Sequence, residues 1–327
     1  MNAPPPGPSR APLAAGRWHF QHGPIDLLIE AHGRPDAVQR GHVDAWARFQ
    51  DILQELVDEL PALRQPICEH CPVTGVVAVR MWQACHPHRR PFITAMAAVA
   101  GSVAQELLRC YQRDGVERAW VNNGGDIALH LSPGSRVTVG VCSDLRRFDP
   151  AVGRVDCELR FELAASLPVR GVATSGWRGR SLSLGIADSV TVLAADAAQA
   201  DAAATVIANA VNVADDRIQR ARADSLRDDS DLGALEATID VPALPPEQVR
   251  RALERGAQCA RTLRQRGLIH GAVLVCQRQL AQVLPDADTA RLTRTPAPAP
   301  HGSVFAYPAR SVGGPGQHRD AAARSDP

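Results

Sequence analysis

The sequence contains no lysine: all 36 residues counted as Lys or Arg are arginines. A chain without a lysine amine excludes Schiff-base chemistry, pyridoxal phosphate enzymes and the P-loop lysine of nucleotide hydrolases. Aromatic residues make up only 4% of the chain and hydrophobic residues 45%, so we expect a core of Ala, Val, Leu and Ile. The net charge of +1 gives no electrostatic basis for nucleic acid as the main partner.

Long apolar runs are also missing. No stretch approaches the roughly 20 residues of a transmembrane helix, and residues 1–17 are proline-rich rather than apolar as a signal peptide is. The 8 cysteines are scattered along the chain, which favours reduced thiols over a disulfide framework. We therefore expect a cytoplasmic protein without a membrane partner, and the small apolar helices are compatible with a homodimer.

Composition divides the chain into three parts. Residues 1–16 and 288–327 are rich in proline and small residues, which bury little surface, and are predicted to be disordered. Residues 17–287 are predicted to form a single domain. Within it, the apolar face of residues 43–63 predicts a helix, and residues 246–266 predict another.

Residues 97–104 form a predicted helix of small side chains, which fits close helix packing and close approach of a ligand equally well. Residues 118–121, 127–131 and 136–142 are predicted as three strands of a β-meander. Asn122–Asp126 makes its first turn, since Asn and Gly tolerate positive φ. Gly124, Gly125 and Asp126 fit that turn alone, and they also fit backbone N–H groups that face a phosphate or a sugar.

The segment Gly171–Gly176 opens a predicted loop, strand and helix that continue to Val213. On that helix Asp201 and Thr205 are four residues apart, so their side chains share one face. A carboxylate and a hydroxyl are hard oxygen ligands, which suit Mg²⁺. The alternative is an Asp near the positive end of the helix dipole and a Thr turned inward.

Two further segments carry polar side chains. Cys68-Glu-His-Cys71 has the spacing of a zinc knuckle or a redox pair, and Cys85, His86 and His88 lie nearby as further ligands. The alternative is a loop with incidental thiols. The acidic segment Asp224–Asp231 lacks the ligand order of a calcium-binding loop and is predicted to be solvated.

Four motifs occur in an order that resembles the ApbE superfamily, the FAD:protein FMN transferases once called thiamine biosynthesis lipoproteins. They are Val121–Ile127, Val172–Gly176, Ser189–Val192 and Ala200–Thr205. The chain is more similar still to the cytoplasmic UPF branch of that superfamily, through His22–Asp26, Phe92–Gly101, Gly171–Val192 and Leu268–Gly271. The likeness covers about residues 18–280, and its motifs are specific as a set.

The resemblance implies an α+β fold of two related antiparallel sheets backed by helices, similar to a T-fold duplication. It also implies a site for the flavin of FAD or FMN. The residues implied to line that site are Gly124, Gly125, Asp126, Ala173, Thr174, Ser175 and Gly176. In the transferase members an Asp and a Thr hold Mg²⁺, and Asp201 and Thr205 match them, with the backbone carbonyl of Ala98 as a third ligand.

Two departures from the family pattern bear on activity. The family's Asp-x-Gly-x-x-Ala-Lys-Gly segment has neither its Asp nor its Lys here, and Ser181–Asp188 stands where the family has a His-Ile-x-Asp-Pro-x-Thr-Gly segment. The residues present therefore support flavin binding more strongly than catalytic turnover, and no catalytic residue is assigned.

Three functions stay open at this point. One is an Mg²⁺-dependent transfer of FMN to a protein acceptor, or a related FAD pyrophosphatase. Another is a flavin- or nucleotide-binding module without catalysis. The third is an accessory protein that uses Cys68 and Cys71, because some members of the similar branch are associated with sulfur assimilation.

Overall fold

The computed structural model describes residues 7–141, 148–149, 154–155, 159–179, 181–285, 292–294 and 304–306. Its helices are α1 (Pro35–Asp58), α2 (Leu60–Leu63), α3 (Val76–Cys85), α4 (Val99–Leu108), α5 (Ala197–Ala210), α6 (Ala223–Leu226) and α7 (Pro246–Gln265). Its strands are β1 (Ser9–Pro12), β2 (Trp18–His22), β3 (Ile25–Gly33), β4 (Val116–Asn123), β5 (Asp126–Leu131), β6 (Arg136–Val141), β7 (Phe148–Asp149), β8 (Arg154–Val155), β9 (Leu159–Ala164), β10 (Gly171–Ser175), β11 (Ser189–Ala194), β12 (Gln219–Arg222), β13 (Glu236–Asp240), β14 (Gly271–Cys276), β15 (Gln279–Val283), β16 (Leu292–Arg294) and β17 (Val304–Ala306).

Nine strands form one sheet in the order β1-β2-β3-β4-β5-β10-β11-β14-β15. Every neighbouring pair in it is antiparallel. Each half of the sheet follows the same chain order, in which a hairpin is followed by helices and then by a second hairpin. The predicted α+β fold is confirmed, and the two related antiparallel sheets of that prediction are joined in one continuous sheet because β10 pairs with β5.

Helices cover one face of the central sheet. In the first half Leu27 of β3 packs in one buried cluster with Phe49 of α1. In the second half Val192 of β11 packs with Ala203 of α5 and Leu253 of α7. These clusters contain few aromatic side chains, as the composition predicts, and burial of aliphatic surface supplies the main driving force for packing.

The opposite face is covered by a second sheet, whose strands lie in the order β16-β9-β6-β17. Ile127 of β5 and Val172 of β10 share a buried cluster there with Val139 of β6 and Phe161 of β9. Because both faces of the central sheet are covered in this way, every residue of β11 is buried. Its two polar residues, Ser189 and Thr191, are buried together with its four apolar residues, since a strand covered on both faces need not alternate polar and apolar side chains.

The third strand of the predicted meander leaves the central sheet. β4 and β5 form the expected hairpin, but β6 pairs with β9 instead of continuing beside β5. The free edge of β5 is taken by β10, with Val172 opposite Ile127. Alternation of apolar residues predicts that a segment is a strand, but it does not say which strand will be its partner.

Both segments predicted to be disordered contain strands, which corrects that prediction for these residues. Ser9–Pro12 pairs with β2, and the guanidinium of Arg10 lies 5.4 Å from the ring centre of Trp18 and 4.8 Å from that of Trp46. Pairing to a sheet edge and stacking on two indoles order a segment of low apolar content. Near the C-terminus β16 pairs with β9 and β17 with β6. Residues 1–6 and the remainder of 288–327 lie outside the described residues.

Candidate functional site

The turn between β4 and β5, the N-terminus of α4 and the first half of α5 meet at one end of the central sheet. The side-chain amide of Asn123 donates to the carbonyl of Ala100 at 3.1 Å. The backbone N–H of Gly101 donates to Oδ2 of Asp201 at 2.9 Å. The N-terminus of α4 is thereby tied on one side to the hairpin turn and on the other side to α5.

Gly101 permits the contact between α4 and α5. A Cβ atom at this position would lie 2.2 Å from the carbonyl oxygen of Ala197 and 3.0 Å from Cβ of Asp201. No side chain fits in that space, so at Gly101 the small-residue helix serves close helix packing. The same close approach sets the first turn of α4 against Asp201.

Asp201 is a half-buried carboxylate in the second turn of α5. Burial raises the pKa of Asp201 to about 7, and the backbone N–H groups of Gly101 and Ala100 partly oppose that rise. No arginine or histidine of the described chain contributes to the balance. The charged form is therefore costly here and has no cationic side chain to offset the cost.

The alternative interpretation, that Asp201 lies at the positive end of the dipole of its own helix, does not fit its position. The N-cap of α5 is Asp196, whose Oδ1 accepts from the N–H of Gln199 at 2.8 Å. Asp201 instead lies against the N-terminus of α4, where the positive end of that helix dipole favours a negative charge. The hydrogen bond from Gly101 fixes the carboxylate through Oδ2.

The other two predicted metal ligands belong to the same pair of helices. Thr205 lies one turn beyond Asp201 on α5 and is also half-buried. Ala98 is the buried N-cap residue of α4, three residues before Gly101. The three predicted ligands thus lie on the two helices that meet at Asp201. Their role in metal binding stays a prediction.

Asp126 holds β10 in place. Its Oδ1 accepts from the backbone N–H of Thr174 at 3.1 Å, and the hydroxyl of Thr174 shares a hydrogen bond of 2.9 Å with that of Thr191. Ala173 packs in the cluster that contains α5, whereas Val172 packs against the second sheet. Because side chains alternate along a strand, Ser175 shares the face of Ala173, and Thr174 shares the opposite face.

The two glycines of the β4–β5 turn adopt positive φ angles, 63° for Gly124 and 108° for Gly125. The N–H of Gly125 donates to Oδ1 of Asn122 at 2.8 Å. The turn interpretation therefore accounts for both glycines. The turn lies beside the N-terminus of α4 through Asn123, and its contact with a phosphate or a sugar stays a prediction.

Residues 181–188 are packed onto α5. A Cβ atom on Gly185 would lie 2.0 Å from the carbonyl oxygen of Ala208. The N–H of Leu184 donates to Oδ1 of Asn209 at 2.9 Å, and its carbonyl accepts from Nη1 of Arg220 at 2.7 Å. Residues 181–188 are thus fixed in place on both sides of Leu184.

Comparison with known proteins identifies the family. The family model described as AbpE bacteria matches residues 10–283. The chain belongs to this family. It is a member of the ApbE-like superfamily in its UPF branch, as the motifs predicted.

Relatives of this AbpE family member are found among archaeal proteins. A UPF0280 protein from Methanothermobacter thermautotrophicus is 40% identical over 143 residues, which are 43% of this chain and 51% of that protein. A UPF0280 protein from Archaeoglobus fulgidus is 33% identical over 197 residues, 60% of this chain and 75% of that protein. The chain spans about half the length of several curated relatives it matches.

Similar solved structures carry flavin transferase names. The flavin transferase ApbE from Vibrio cholerae is 11% identical, with a TM-score of 0.43 over 87% of this chain and 99% of that chain. The flavinyl transferase ApbE from Pseudomonas stutzeri is 15% identical, with a TM-score of 0.39 over 89% of this chain and 98% of that chain. Within the described part of the AbpE chain, no helix combines the length and apolarity needed to cross a membrane.

Sequence reasoning missed one carboxylate near the site. The acidic segment was predicted to be solvated, but Asp231 is half-buried and accepts a hydrogen bond from the hydroxyl of Thr94, 137 residues away in the chain. Asp201 and Asp231 both help raise the pKa of the buried Cys85 thiol, beyond the rise that burial causes. Both carboxylates therefore lie near Cys85. No local pattern distinguishes Asp231 from the other acids of its segment.

The predicted zinc ligands are not brought together. Among the residues the structure describes, no group of three His, Cys, Asp or Glu side chains is placed to hold an ion. Cys85 is buried, with its Sγ 3.9 Å from the carbonyl of Ala95, whereas Cys68 and Cys71 are exposed. The described residues therefore do not support the zinc alternative, whereas the redox pair and the loop with incidental thiols both stay open for Cys68 and Cys71.

Proposed function

We propose that this AbpE family member binds FAD or FMN, with Mg²⁺, where α4 meets α5. The observation that carries the proposal is Asp201. Its carboxylate is half-buried, its pKa is raised to about 7, and no cationic side chain of the described chain offsets the burial. A divalent cation would relieve the cost of the charged carboxylate, because an opposite charge stabilises the ionised form.

The donor set at this contact fits Mg²⁺. The carboxylate of Asp201, the hydroxyl of Thr205 and the backbone carbonyl of Ala98 are all hard oxygen donors of the kind that Mg²⁺ takes. The hydrogen bond from Gly101 to Oδ2 orients the carboxylate, whose oxygens have further lone pairs for a cation. When bound, Mg²⁺ would neutralise negative charge on the pyrophosphate of FAD.

The ends of β5 and β10 would contact the dinucleotide. Asp126 anchors β10 through the N–H of Thr174, and this bond positions Ser175 and Gly176 beyond it. Gly124 and Gly125 form the neighbouring turn. We assign Ala173 to Gly176 and Gly124 to Asp126 to the flavin-binding surface. The backbone of Thr174 would hold that surface in place through its N–H bond to Asp126, since its hydroxyl bonds to Thr191.

The activity we propose for this site is transfer of FMN from FAD, with release of AMP, to a hydroxyl of a protein acceptor or to water. The residues above would bind and orient the pyrophosphate for that attack. Purified full-length protein should then convert FAD to FMN and AMP in the presence of Mg²⁺, as measured by chromatography. Asp201→Ala should stop the conversion, and Asp36→Ala, at an exposed ion pair with Arg40, should not. Absence of both products, or equal conversion by Asp201→Ala, rejects the activity.

A second candidate is flavin binding without turnover. It is favoured by residues 181–188, which stand in place of the family's histidine segment and are held by Asn209 and Arg220. The same incubation separates the two candidates. Retention of intact FAD by the purified protein, with no FMN or AMP, would support the binding module over the transferase.

A further inference from the structure

An apolar cleft of about 320 Å³ lies between the loop before α3 and α3 itself. Its walls are mainly hydrophobic and include Leu63, Ile67, Val73 and Trp82. Cys68 also lines the cleft, and its side chain is exposed. None of the residues assigned above to the flavin site lines this cleft, so it is a separate feature of the molecule.

The loop that carries Cys68 is anchored at both ends. The N–H of Ile67 donates to the carbonyl of Ile93 at 2.9 Å. At the other end, the carboxylate of Glu59 accepts from the N–H groups of Thr74 and Gly75 at distances of 2.7 to 3.3 Å. Residues 68–73 therefore form a short span between two fixed points, and the first cysteine of the span is held at the cleft.

The second cysteine is three residues further along the same span. Cys71 is exposed, and its Sγ lies 3.5 Å from the carbonyl of Val73. The Sγ of Cys68 lies 3.0 Å from the carbonyl of His70. Both are free thiols, and the Cys-x-x-Cys spacing is the one that redox proteins use to close a disulfide between neighbours.

We propose that Cys68 and Cys71 form a thiol–disulfide exchange site whose substrate is a small apolar organic disulfide bound in this cleft. Cys68 is the attacking residue because it lines the cleft, and Cys71 is the resolving residue. The cleft volume is in the range of small-molecule sites, and its apolar walls select against hydrophilic disulfides.

The exchange balances in two steps. The thiolate of Cys68 attacks one sulfur of the organic disulfide, so that a mixed disulfide forms, the substrate S–S bond breaks and one thiol leaves with a proton. The thiolate of Cys71 then attacks Sγ of Cys68, forms the Cys68–Cys71 disulfide and releases the second thiol. The protein loses two electrons and two protons, and one organic disulfide becomes two thiols.

The test uses full-length reduced protein and two probes, a neutral dipyridyl disulfide and oxidised glutathione. The rate at Cys68, read by alkylation and peptide mass spectrometry, is divided by the rate of free cysteine with the same probe. We expect the normalised rate to favour the dipyridyl disulfide by about tenfold, the factor expected when roughly 60 Å² of apolar surface leaves water. Wild-type protein should finish with a Cys68–Cys71 disulfide.

Variants separate the two roles. Cys71→Ser should trap the mixed disulfide on residue 68, Cys68→Ser should leave residue 71 with no preference between the probes, and Cys110→Ser, at a half-buried thiol, should behave as wild type. Val73→Asp should remove the preference for the dipyridyl probe while both thiols remain. Equal normalised rates for the two probes, or a mixed disulfide trapped on Cys71 when Cys68 is present, would overturn the proposal.

Discussion

The substitution Asp201→Asn should make the protein more stable while it removes the proposed cation site. An asparagine has nearly the same shape, and its side-chain oxygen can still accept the hydrogen bond from Gly101. What it lacks is the charge that burial makes costly. A residue kept for structure alone would not give both a gain in stability and a loss of cation binding when it is replaced. A site retained for binding can give both, because chains tolerate local destabilisation at such sites.

The magnitude follows from the pKa of Asp201, which is raised from 3.8 to about 7 in the folded protein. The folded state therefore binds the proton more tightly than the unfolded state, so wild-type stability falls as pH rises from about 4 to 7. The full shift corresponds to an upper value on the order of 4 kcal/mol. Because Asp201 keeps some exposure, we expect Asp201→Asn to gain about 1–3 kcal/mol at pH 8 and almost nothing at pH 4.

Urea unfolding of both proteins at pH 4, 6 and 8 measures this gain. Asp188 offers a matched control, because it also accepts a backbone N–H, from Gln277, but is paired with Arg178. Asp188→Asn should be neutral or destabilising at pH 8. Millimolar Mg²⁺ should stabilise wild type and leave Asp201→Asn unchanged, since a ligand stabilises only the state that binds it. A loss of stability in Asp201→Asn at pH 8 would refute the reasoning.

Three further substitutions test other parts of the structure. Burial lowers the pKa of His88 from 6.5 to about 4, so the unfolded state binds more protons than the folded state between these pH values. The free energy of unfolding of wild type should therefore fall by up to about 3 kcal/mol as pH falls from 6.5 to 4. In His88→Gln this pH dependence should disappear. Gly101→Ala forces a Cβ to within 2.2 Å of the Ala197 carbonyl, and the free energy of unfolding should fall by about 3 kcal/mol. Thr174→Val leaves the buried hydroxyl of Thr191 without its partner, which should cost about 1–3 kcal/mol and change FAD affinity less than about twofold.

The same three variants have clear contrary outcomes. If the free energy of unfolding of His88→Gln still falls between pH 6.5 and 4, a group other than His88 titrates in that range. If Gly101→Ala unfolds with the same free energy as wild type, α4 and α5 do not need to approach so closely. A large loss of FAD affinity in a folded Thr174→Val protein would mean that the hydroxyl, and not the backbone, contacts the ligand.

Sequence patterns predicted local elements well and pairings poorly. The β-branched residues of β11 and the amphipathic pattern of α7 predicted both elements within one or two residues, because each pattern lies within the element's own sequence. The partner of β6 and the strand Ser9–Pro12 were not predictable in this way. Each depends on a free sheet edge that other parts of the chain provide.

For the site, motif order placed Asp201 and Thr205 on one helix and Ala98 at the start of another, and the structure brings those helices together. The spacing could not show that Asp201 would cap α4 through Gly101, because that bond joins residues 100 positions apart. Asp231 was missed for the same reason, since its bond to Thr94 is long-range. The direction of the Thr174 hydroxyl, toward Thr191, depends on strand register, which the sequence alone does not fix.

The central claim is that FAD and Mg²⁺ bind together at the contact between α4 and α5. Isothermal titration of full-length protein with FAD, with and without Mg²⁺, tests it most directly when wild type is compared with Asp201→Ala. We expect Mg²⁺ to tighten FAD binding to wild type by at least about tenfold, or 1.4 kcal/mol, and to have no effect on Asp201→Ala. No FAD binding to wild type, or an equal effect of Mg²⁺ on both proteins, would show that FAD and Mg²⁺ do not bind together at this contact.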